Sequence, residues 1–487
     1  MLNTLNDALN NIDNFIWGMP LIVLILFTGI LLTVRLRGLQ VRHLGKALHY
    51  VFHNEDDGEG EVTSFGALCT ALSATIGTGN IVGCATAIVA GGPGALFWMW
   101  LAAFFGMATK YAEGMLAVKY RVIAEDGHAL GGPFYYIEKG MGKNFKWLAK
   151  LFCVFGTMVG LFGIGTFTQV NGITSAVNNF FDPSNVHTIS LFGMNYSISV
   201  VVAGIIVTVC AGLVIIGGIK RISKVSEVIV PFMAVTYIGV CLIIVFTHLP
   251  QVPAAFVQIV QSAFGLKAAA GGAIGAMTVA MQKGIARGIF SNEAGLGSAP
   301  IAAAAAQTNS PVRQGIVSML GVFLTTIIIC TMTALVIISS GLLETPVNGV
   351  LLDGGLLSNT AFQQSLPGNI GLYIVSIGLV FFSFTTIIGW SYYGERCLVY
   401  LCGGTKLITI YRVLYIICIA IAPYLTLDAI WILADITNAL MAFPNLVGLL
   451  LLSPVVIKET NTYMENLKRE KAEKAARGFT GVGDMEA

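Results

Sequence analysis

The sequence predicts an all-α polytopic membrane protein of eleven transmembrane helices, arranged as a five-plus-five inverted repeat preceded by one extra helix. Three observations predict it. The 487 residues are 56% hydrophobic and only 11% charged, with mean hydropathy +0.80, where soluble domains carry about 25% charged residues. The lysines and arginines segregate to one side of the apolar segments. Two glycine-rich interruptions fall inside apolar segments five helices apart.

A bilayer-crossing helix needs about 20 apolar residues. Candidate spans cover 14–34, 63–91, 94–118, 147–179, 196–217, 225–248, 266–289, 313–341, 369–394, 406–423 and 427–456. Several exceed 25 residues, which implies tilt or a break. With the N-terminus outside, 26 of the 27 Lys and Arg residues fall on the inner face, Lys267 being the exception. The bias of cytoplasmic loops toward Lys and Arg makes this the predicted orientation, with the C-terminus cytoplasmic. The chain divides into an N-terminal peripheral helix and cytosolic connection (1–60), a first five-helix repeat (61–250), a second (251–457) and a charged cytosolic tail (458–487), read as a frayed helix without a function of its own. Segments 252–264 and 349–365 are too short to span; they read as lids over a site or as ordinary interfacial helices.

Several function classes lose support. A net charge of +2 gives no nucleic-acid footprint. The nine cysteines show no metal-knuckle spacing and read as small buried apolar residues. The N-terminus lacks the basic region of a cleaved signal peptide. No P-loop is present for ATP hydrolysis, and no serine–histidine, paired-acid or metal cluster falls at membrane depth, so the chain does not read as an enzyme.

The first interruption is Ser73-Ala-Thr-Ile-Gly-Thr-Gly-Asn-Ile-Val-Gly83. Glycine costs about 1 kcal/mol in a helix interior relative to alanine. Broken backbone within a membrane is tolerated where it is buried in protein or lines a cavity. Its freed carbonyls and amides can bind an ion or a zwitterion. Close helix packing through small residues is the competing explanation. The second interruption is Ala270-Gly-Gly-Ala-Ile-Gly-Ala-Met277. A unit with an odd number of helices, repeated in tandem, must invert its topology, and paired interrupted helices then mark a secondary transporter's site.

Other polar residues could complete such a site. Thr385 and Thr386 lie near the middle of the ninth span, where they can ligate a cation or bond back to their own helix. Gln169 and Asn171, costly in lipid, must face protein or a cavity, with Phe167 and Thr168 beside Asn171. Trp390 can wall a small pocket or simply pack. Lys283 and Arg287 read as snorkelling to the cytosol, and Ser291–Pro300 as a packed cytosolic-side connection forming part of an inner gate. Glu113, Glu395 and Asp435 are placed at neither break, which favours sodium over proton coupling.

Three stretches, Ala74–Gly83, Gly91–Trp100 and Arg287–Pro300, resemble the alanine or glycine:cation symporter family, and the likeness runs from the first span to about Pro454. It implies a prokaryotic plasma-membrane sodium/alanine (or glycine) symporter with the leucine-transporter fold. Gly77-Thr-Gly-Asn80 is similar to the Gly-x-Gly-Asn of that fold's first core helix, whose amides bind the substrate carboxylate. The resemblance assigns sodium to the carbonyls of Ser73 and Ile76 with Thr385 and Thr386. It sets the substrate against Thr75, Gly77, Thr78 and Gly79, with Asn171, Thr386 and Trp390 around it. Phe167, Gln169 and Met277 complete the substrate set. Asn80 belongs to it too, either as a contact or as a brace for the break. The expected ligands are therefore a small neutral amino acid and a co-transported sodium ion, in a lipid bilayer. Proton-coupled or glutamine-type transport and a non-transporting amino acid sensor are the alternatives.

Overall fold

A computed structural model describes residues 2–53, 58–125, 127–191, 193–266, 272–343, 345, 351–425 and 428–476. Among them eight helices are long and apolar enough to cross a membrane, or nine if one bent pair counts as a single span.

The helices are α1 (Leu2–Ile16), α2 (Met19–Arg35), α3 (Leu39–Arg42), α4 (Leu44–Phe52), α5 (Ser64–Thr75), α6 (Cys84–Gly91), α7 (Ala95–Lys119), α8 (Pro133–Met141), α9 (Lys146–Phe162), α10 (Phe167–Phe181), α11 (Ile198–Ile215) and α12 (Gly218–Thr247). They continue as α13 (Val252–Ala263), α14 (Ala273–Asn292), α15 (Ala299–Ala303), α16 (Pro311–Val322), α17 (Thr331–Ser339), α18 (Gly354–Ser365), α19 (Ile370–Cys402), α20 (Ile408–Ile421) and α21 (Asp428–Ala476). Two antiparallel hairpins, β1–β2 (Val122–Ile123, Ala129–Leu130) and β3–β4 (Thr188–Leu191, Met194–Ser197), lie in loops.

Most expected spans are single helices, and the departures carry the interest. The second span is α5 and α6 with a π-helical turn at Gly79–Gly83, bent by 58°. The fourth span is also broken, between α9 and α10 at 163–166. The eighth contains a π-helix at Phe323–Cys330 joining α16 to α17. Such π-turns leave backbone groups without their helical partners and recur at functional sites. Segment 252–264 holds α13, and 349–365 holds α18, with 349 and 350 outside the described residues; each helix is too short to span.

The expected tail does not fray at 458. α21 runs unbroken to Ala476 and docks on the bundle. Lys119 Nζ meets Glu459 Oε1 at 2.7 Å, and the hydroxyls of Tyr111 and Thr460 lie 2.6 Å apart. Tyr50 and Tyr463 pair through their hydroxyls at 3.0 Å.

The core is continuous across the bundle and includes Trp390, Tyr111, Tyr237, Tyr393 and Phe382, all buried. Large apolar side chains such as Val209, Leu213, Val235 and Phe246 stay exposed. That inside-out surface suits lipid rather than water.

Candidate functional site

The first interruption is real and lies at the centre of the molecule. α5 ends at Thr75, and Ile76 leaves the helical region at φ −84°, ψ 90°. Neither Gly77 nor Gly79 has a positive φ. They are glycine because of space. A Cβ on Gly77 would lie 2.7 Å from Thr386 Oγ1 and 3.3 Å from Gln169 Oε1. A Cβ on Gly79 would lie 2.7 Å from the Phe290 ring. Thus α10, α14 and α19 all close on the break.

Asn80 braces it. Its Oδ1 accepts the Gly77 N–H at 3.1 Å, and its Nδ2 donates to Ser291 Oγ at 3.0 Å and to the Thr325 carbonyl at 3.3 Å. Thr325 belongs to the π-helical turn, so one irregular backbone supplies the acceptor that holds another. The Thr333 hydroxyl donates to the Asn80 carbonyl at 3.1 Å.

Thr386 joins α19 to the same break. Its hydroxyl lies 3.1 Å from the Ser73 carbonyl and 3.4 Å from the Ile76 carbonyl, and it also reaches its own Phe382 carbonyl at 2.9 Å. Oxygens sharing a hard cation at about 2.4 Å stand about 3.4 Å apart when set at right angles. The Thr386 hydroxyl therefore stands from each carbonyl at a spacing that suits a small hard cation, and all three oxygens are uncharged and hard. Thr385 is different. Its hydroxyl bonds back to the Phe382 carbonyl at 3.0 Å and otherwise faces Met233 Sδ at 3.9 Å. The Thr75 hydroxyl likewise bonds back, to Ala71 at 3.0 Å.

The α10 wall corrects part of the expected set. Gln169 faces Gly77, and Gly172 faces Thr78 and Ser383. Phe167 and Asn171 share a face with each other, but at about 100° per residue that face is opposite the one bearing Gln169 and Gly172. Among the described residues neither side chain hydrogen-bonds to the break, and Asn171 Nδ2 is buried without a hydrogen-bond partner. Among the described residues, Gln169 Oε1 and Ser383 Oγ are buried without a hydrogen-bond partner. Two unsatisfied polar atoms beside an unwound helix mark a place where a polar ligand replaces lost hydrogen bonds. Trp390 is fully buried, stacked edge-on against Tyr393, with its Cβ at Gly165 in the α9–α10 break.

The second interruption is not where the glycines suggested. Residues 270 and 271 lie outside the described residues, but α14 is unbroken from Ala273 through Gly275 and Met277 to Asn292. Phe290 touches the Gly79 region, so Met277, thirteen residues earlier on a straight helix, lies about 20 Å away. It does not reach the first break. The true unwinding is Glu293–Ser298, with Glu293 at φ +55°, Gly295 at +90° and Gly297 at +81°. This stretch, expected as a cytosolic-side connection, instead adjoins the first break through Asn80 and Ser291.

The placement of charges changes accordingly. Glu113, expected away from either break, accepts the Gly295 N–H at 3.1 Å. Lys283 and Arg287 do not run to the side where α5 begins. Lys283 packs at Gly91, at the far end of α6. Both basic residues line a cavity of about 330 Å³ that also includes Asp13, Trp17, Asp435 and Phe290. The cavity thus leads from the Gly91 side to the residue packed on Gly79.

The other side is closed. Val62, just before α5, bridges to Ala306, just after α15. Arg121 donates to the carbonyls of Ala304 at 3.0 Å, Ala306 at 2.7 Å, Glu59 at 2.6 Å and Thr308 at 2.8 Å. Gly60, at φ +147°, fits because a Cβ there would lie 2.4 Å from the Ala306 oxygen. One guanidinium thus ties the ends of both broken helices together.

A polytopic helical bundle with two unwound helices meeting at its centre, open toward one side and sealed at the other, is the build of a membrane transporter. The chain belongs to the sodium:alanine symporter family, whose pattern matches residues 2–477. It is 54% identical to an uncharacterized transporter of Haemophilus influenzae, over 96% of this chain and 97% of that one. It is 46% identical to the sodium/alanine symporter AgcS of Methanococcus maripaludis, over 95% and 98%. Among solved structures it is similar to a manganese transporter of Eremococcus coleocola at TM-score 0.49 and 12% identity, over 83% and 82% of the two chains.

Proposed function

We propose that this protein is a sodium-coupled symporter that imports small neutral amino acids, alanine or glycine, by alternating access. The observation that carries the reading is the meeting of the Thr386 hydroxyl with the Ser73 and Ile76 carbonyls at the break. Sodium, as co-transported cargo, binds these oxygens, and Thr385 joins them by turning its hydroxyl away from Phe382. The amino acid carboxylate takes the unwound amides of Gly77, Thr78 and Gly79, beside Thr75. Gln169 and Ser383 meet the ammonium, and Phe290 and Trp390 limit the side chain. Asn80 holds the break open without touching substrate. The Phe290 ring packed on Gly79 favours a methyl side chain or none.

The arrangement is eleven spans, with five-helix repeats over 61–250 and 251–457 related by inversion. The Gly91 side faces outward, which keeps most of the lysines and arginines on the inner face even with Lys283 and Arg287 on the outer one. The N-terminus is then outside, and the C-terminus is cytoplasmic, in a prokaryotic plasma membrane. The family membership and the similarity to a sodium/alanine symporter support the substrate class. Competition of labelled alanine uptake by glycine, serine, glutamine and D-alanine, with and without sodium, tests the reading. Alanine and glycine should compete best. Stronger competition by glutamine would overturn the assignment to small side chains.

A further inference from the structure

At the second break, two carboxylates and one ammonium are buried together. Glu113 is 0% exposed, and Lys110 and Glu293 are each 3% exposed. Glu113 Oε1 accepts from Gly295 N at 3.1 Å and from Asn445 Nδ2 at 2.6 Å. Its Oε2 has no hydrogen-bond partner among the described residues. Glu293 Oε2 accepts the Ser298 hydroxyl. Lys110 Nζ donates to the Asn292 carbonyl at 2.9 Å. Among the described residues, no carboxylate oxygen lies within ion-pair distance of Lys110.

Full ionisation would leave one uncompensated negative charge in a dry interior. Burying an unpaired charge costs several kcal/mol even after relaxation. Proteins avoid that cost by taking up a proton, and two carboxylates near each other cannot both ionise freely. The groups facing the pair do not offer a second positive charge. They are Lys110 on α7, Tyr136 on α8, Tyr393 on α19 and, without charge, Trp390 on α19 and Asn445 on α21.

A second observation is independent of charge. Glu293 sits at φ +55°, in the left-handed region. A glutamate there costs of order 1–3 kcal/mol. Gly295 and Gly297, also at positive φ, are free of that strain. The position retains a carboxylate where glycine would be easier.

We propose that the unwound segment Glu293–Ser298 carries a proton site shared by Glu113 and Glu293, holding one proton while the segment is buried. When the cytosolic seal at Arg121 opens, water reaches the pair and the proton leaves to it. Both carboxylates are then ionised, and closure requires one proton to return. This rests on the transporter reading only for the opening step, not for the bound proton.

Infrared spectroscopy of the purified full chain at pH 7 tests the bound proton directly. The C=O stretch of a protonated carboxyl should be present and should be lost in both Glu113→Gln and Glu293→Gln. Either variant leaves one carboxylate for one ammonium, so no proton is needed. Lys110→Gln should instead double the signal. If a variant does not fold, the wild-type band and the remaining variants still decide. Absence of the band, or its persistence in both Gln variants, would overturn the proposal. In proteoliposomes whose cytosolic face is inward, wild-type alanine uptake should fall as internal pH departs from neutral, and Glu293→Gln should flatten that profile at least threefold. Loss of all alanine uptake with the band intact would sink the transport reading while leaving the proton site standing.

Discussion

The hydroxyl of Thr386 lies 3.1 Å from the carbonyl oxygen of Ser73, although 313 residues separate them in the chain. One is on a continuous helix late in the sequence, the other on the last turn before the first break. A single side chain thus reports whether α19 and α5 are together. It also supplies an oxygen where the broken helix has spare carbonyls.

Removing that oxygen should weaken sodium selectively. Thr386→Ala should raise the sodium concentration for half-maximal alanine uptake about tenfold, corresponding to about 1.4 kcal/mol for one lost ligand oxygen. The half-saturating alanine concentration at high sodium should change little. Thr386→Ser should be near wild type. Thr385→Ala should have a smaller effect, because its hydroxyl bonds to Phe382 in this structure. Kinetics in proteoliposomes at varied sodium check all three.

The glycines of the break are there for contact, so their substitutions should be rescued by the partner they strike. Gly79→Ala puts a methyl 2.7 Å from the Phe290 ring. Overpacking of this kind costs roughly 1–3 kcal/mol. Uptake should fall sharply with expression intact, and Phe290→Leu in the same chain should restore part of it. Gly77→Ala meets Thr386 and should not be rescued by Phe290→Leu. A double-mutant cycle in uptake rate measures the coupling.

Asn80 should behave as a brace. Asn80→Ala leaves the buried Gly77 N–H without its 3.1 Å acceptor and Ser291 without its donor. An unsatisfied buried group costs about 1–3 kcal/mol. The unfolding temperature of the purified protein should drop, and uptake should be lost at every alanine concentration. A pure substrate contact would raise the half-saturating concentration and leave the unfolding temperature unchanged.

In the loop after α10, Asp182 should give an acid-sensitive hairpin. Burial raises its carboxyl, but the Val186 N–H at 2.8 Å, the Ser197 hydroxyl at 2.8 Å and the His187 N–H at 3.1 Å outweigh this and hold it below the ordinary aspartate value of 3.8. A depressed folded value means the stabilisation is complete above the unfolded value and is lost as pH falls through the folded one. The β3–β4 hairpin should therefore resist proteolysis at pH 5 to 7. It should become susceptible only in strong acid. Asp182→Asn should make it susceptible at neutral pH.

Much of this site was legible in the sequence, for local reasons. Ser73–Asn80 packs its breaking glycines, its carbonyls and its brace into one short segment, and Thr386 is a mid-span threonine. Other assignments failed where the sequence carries period but not direction. Phe167 and Asn171 were rightly paired on one face of α10, but only packing decides that the Gln169 and Gly172 face turns inward. Gly271–Gly275 resembled Gly77–Gly83 in composition, yet glycines near a helix start need not unwind it, and α14 passes through Gly275 intact. The true second break reads in sequence as a stretch too polar and glycine-rich for lipid, which points to a cytosolic-side connection rather than to the centre of the bundle. Among the described residues Lys110 supplies the one positive charge there, and no sequence spacing links residues 110 and 113 to residue 293. The π-turn at Phe323–Cys330 has no sequence signature at all.

Accumulation of labelled alanine in proteoliposomes under an inward sodium gradient tests the central claim most directly. Internal alanine should rise well above the external concentration, collapse to equality when the gradient is dissipated, and fail to rise when potassium replaces sodium. Uptake that only equilibrates, or that proceeds equally in potassium, would contradict the account.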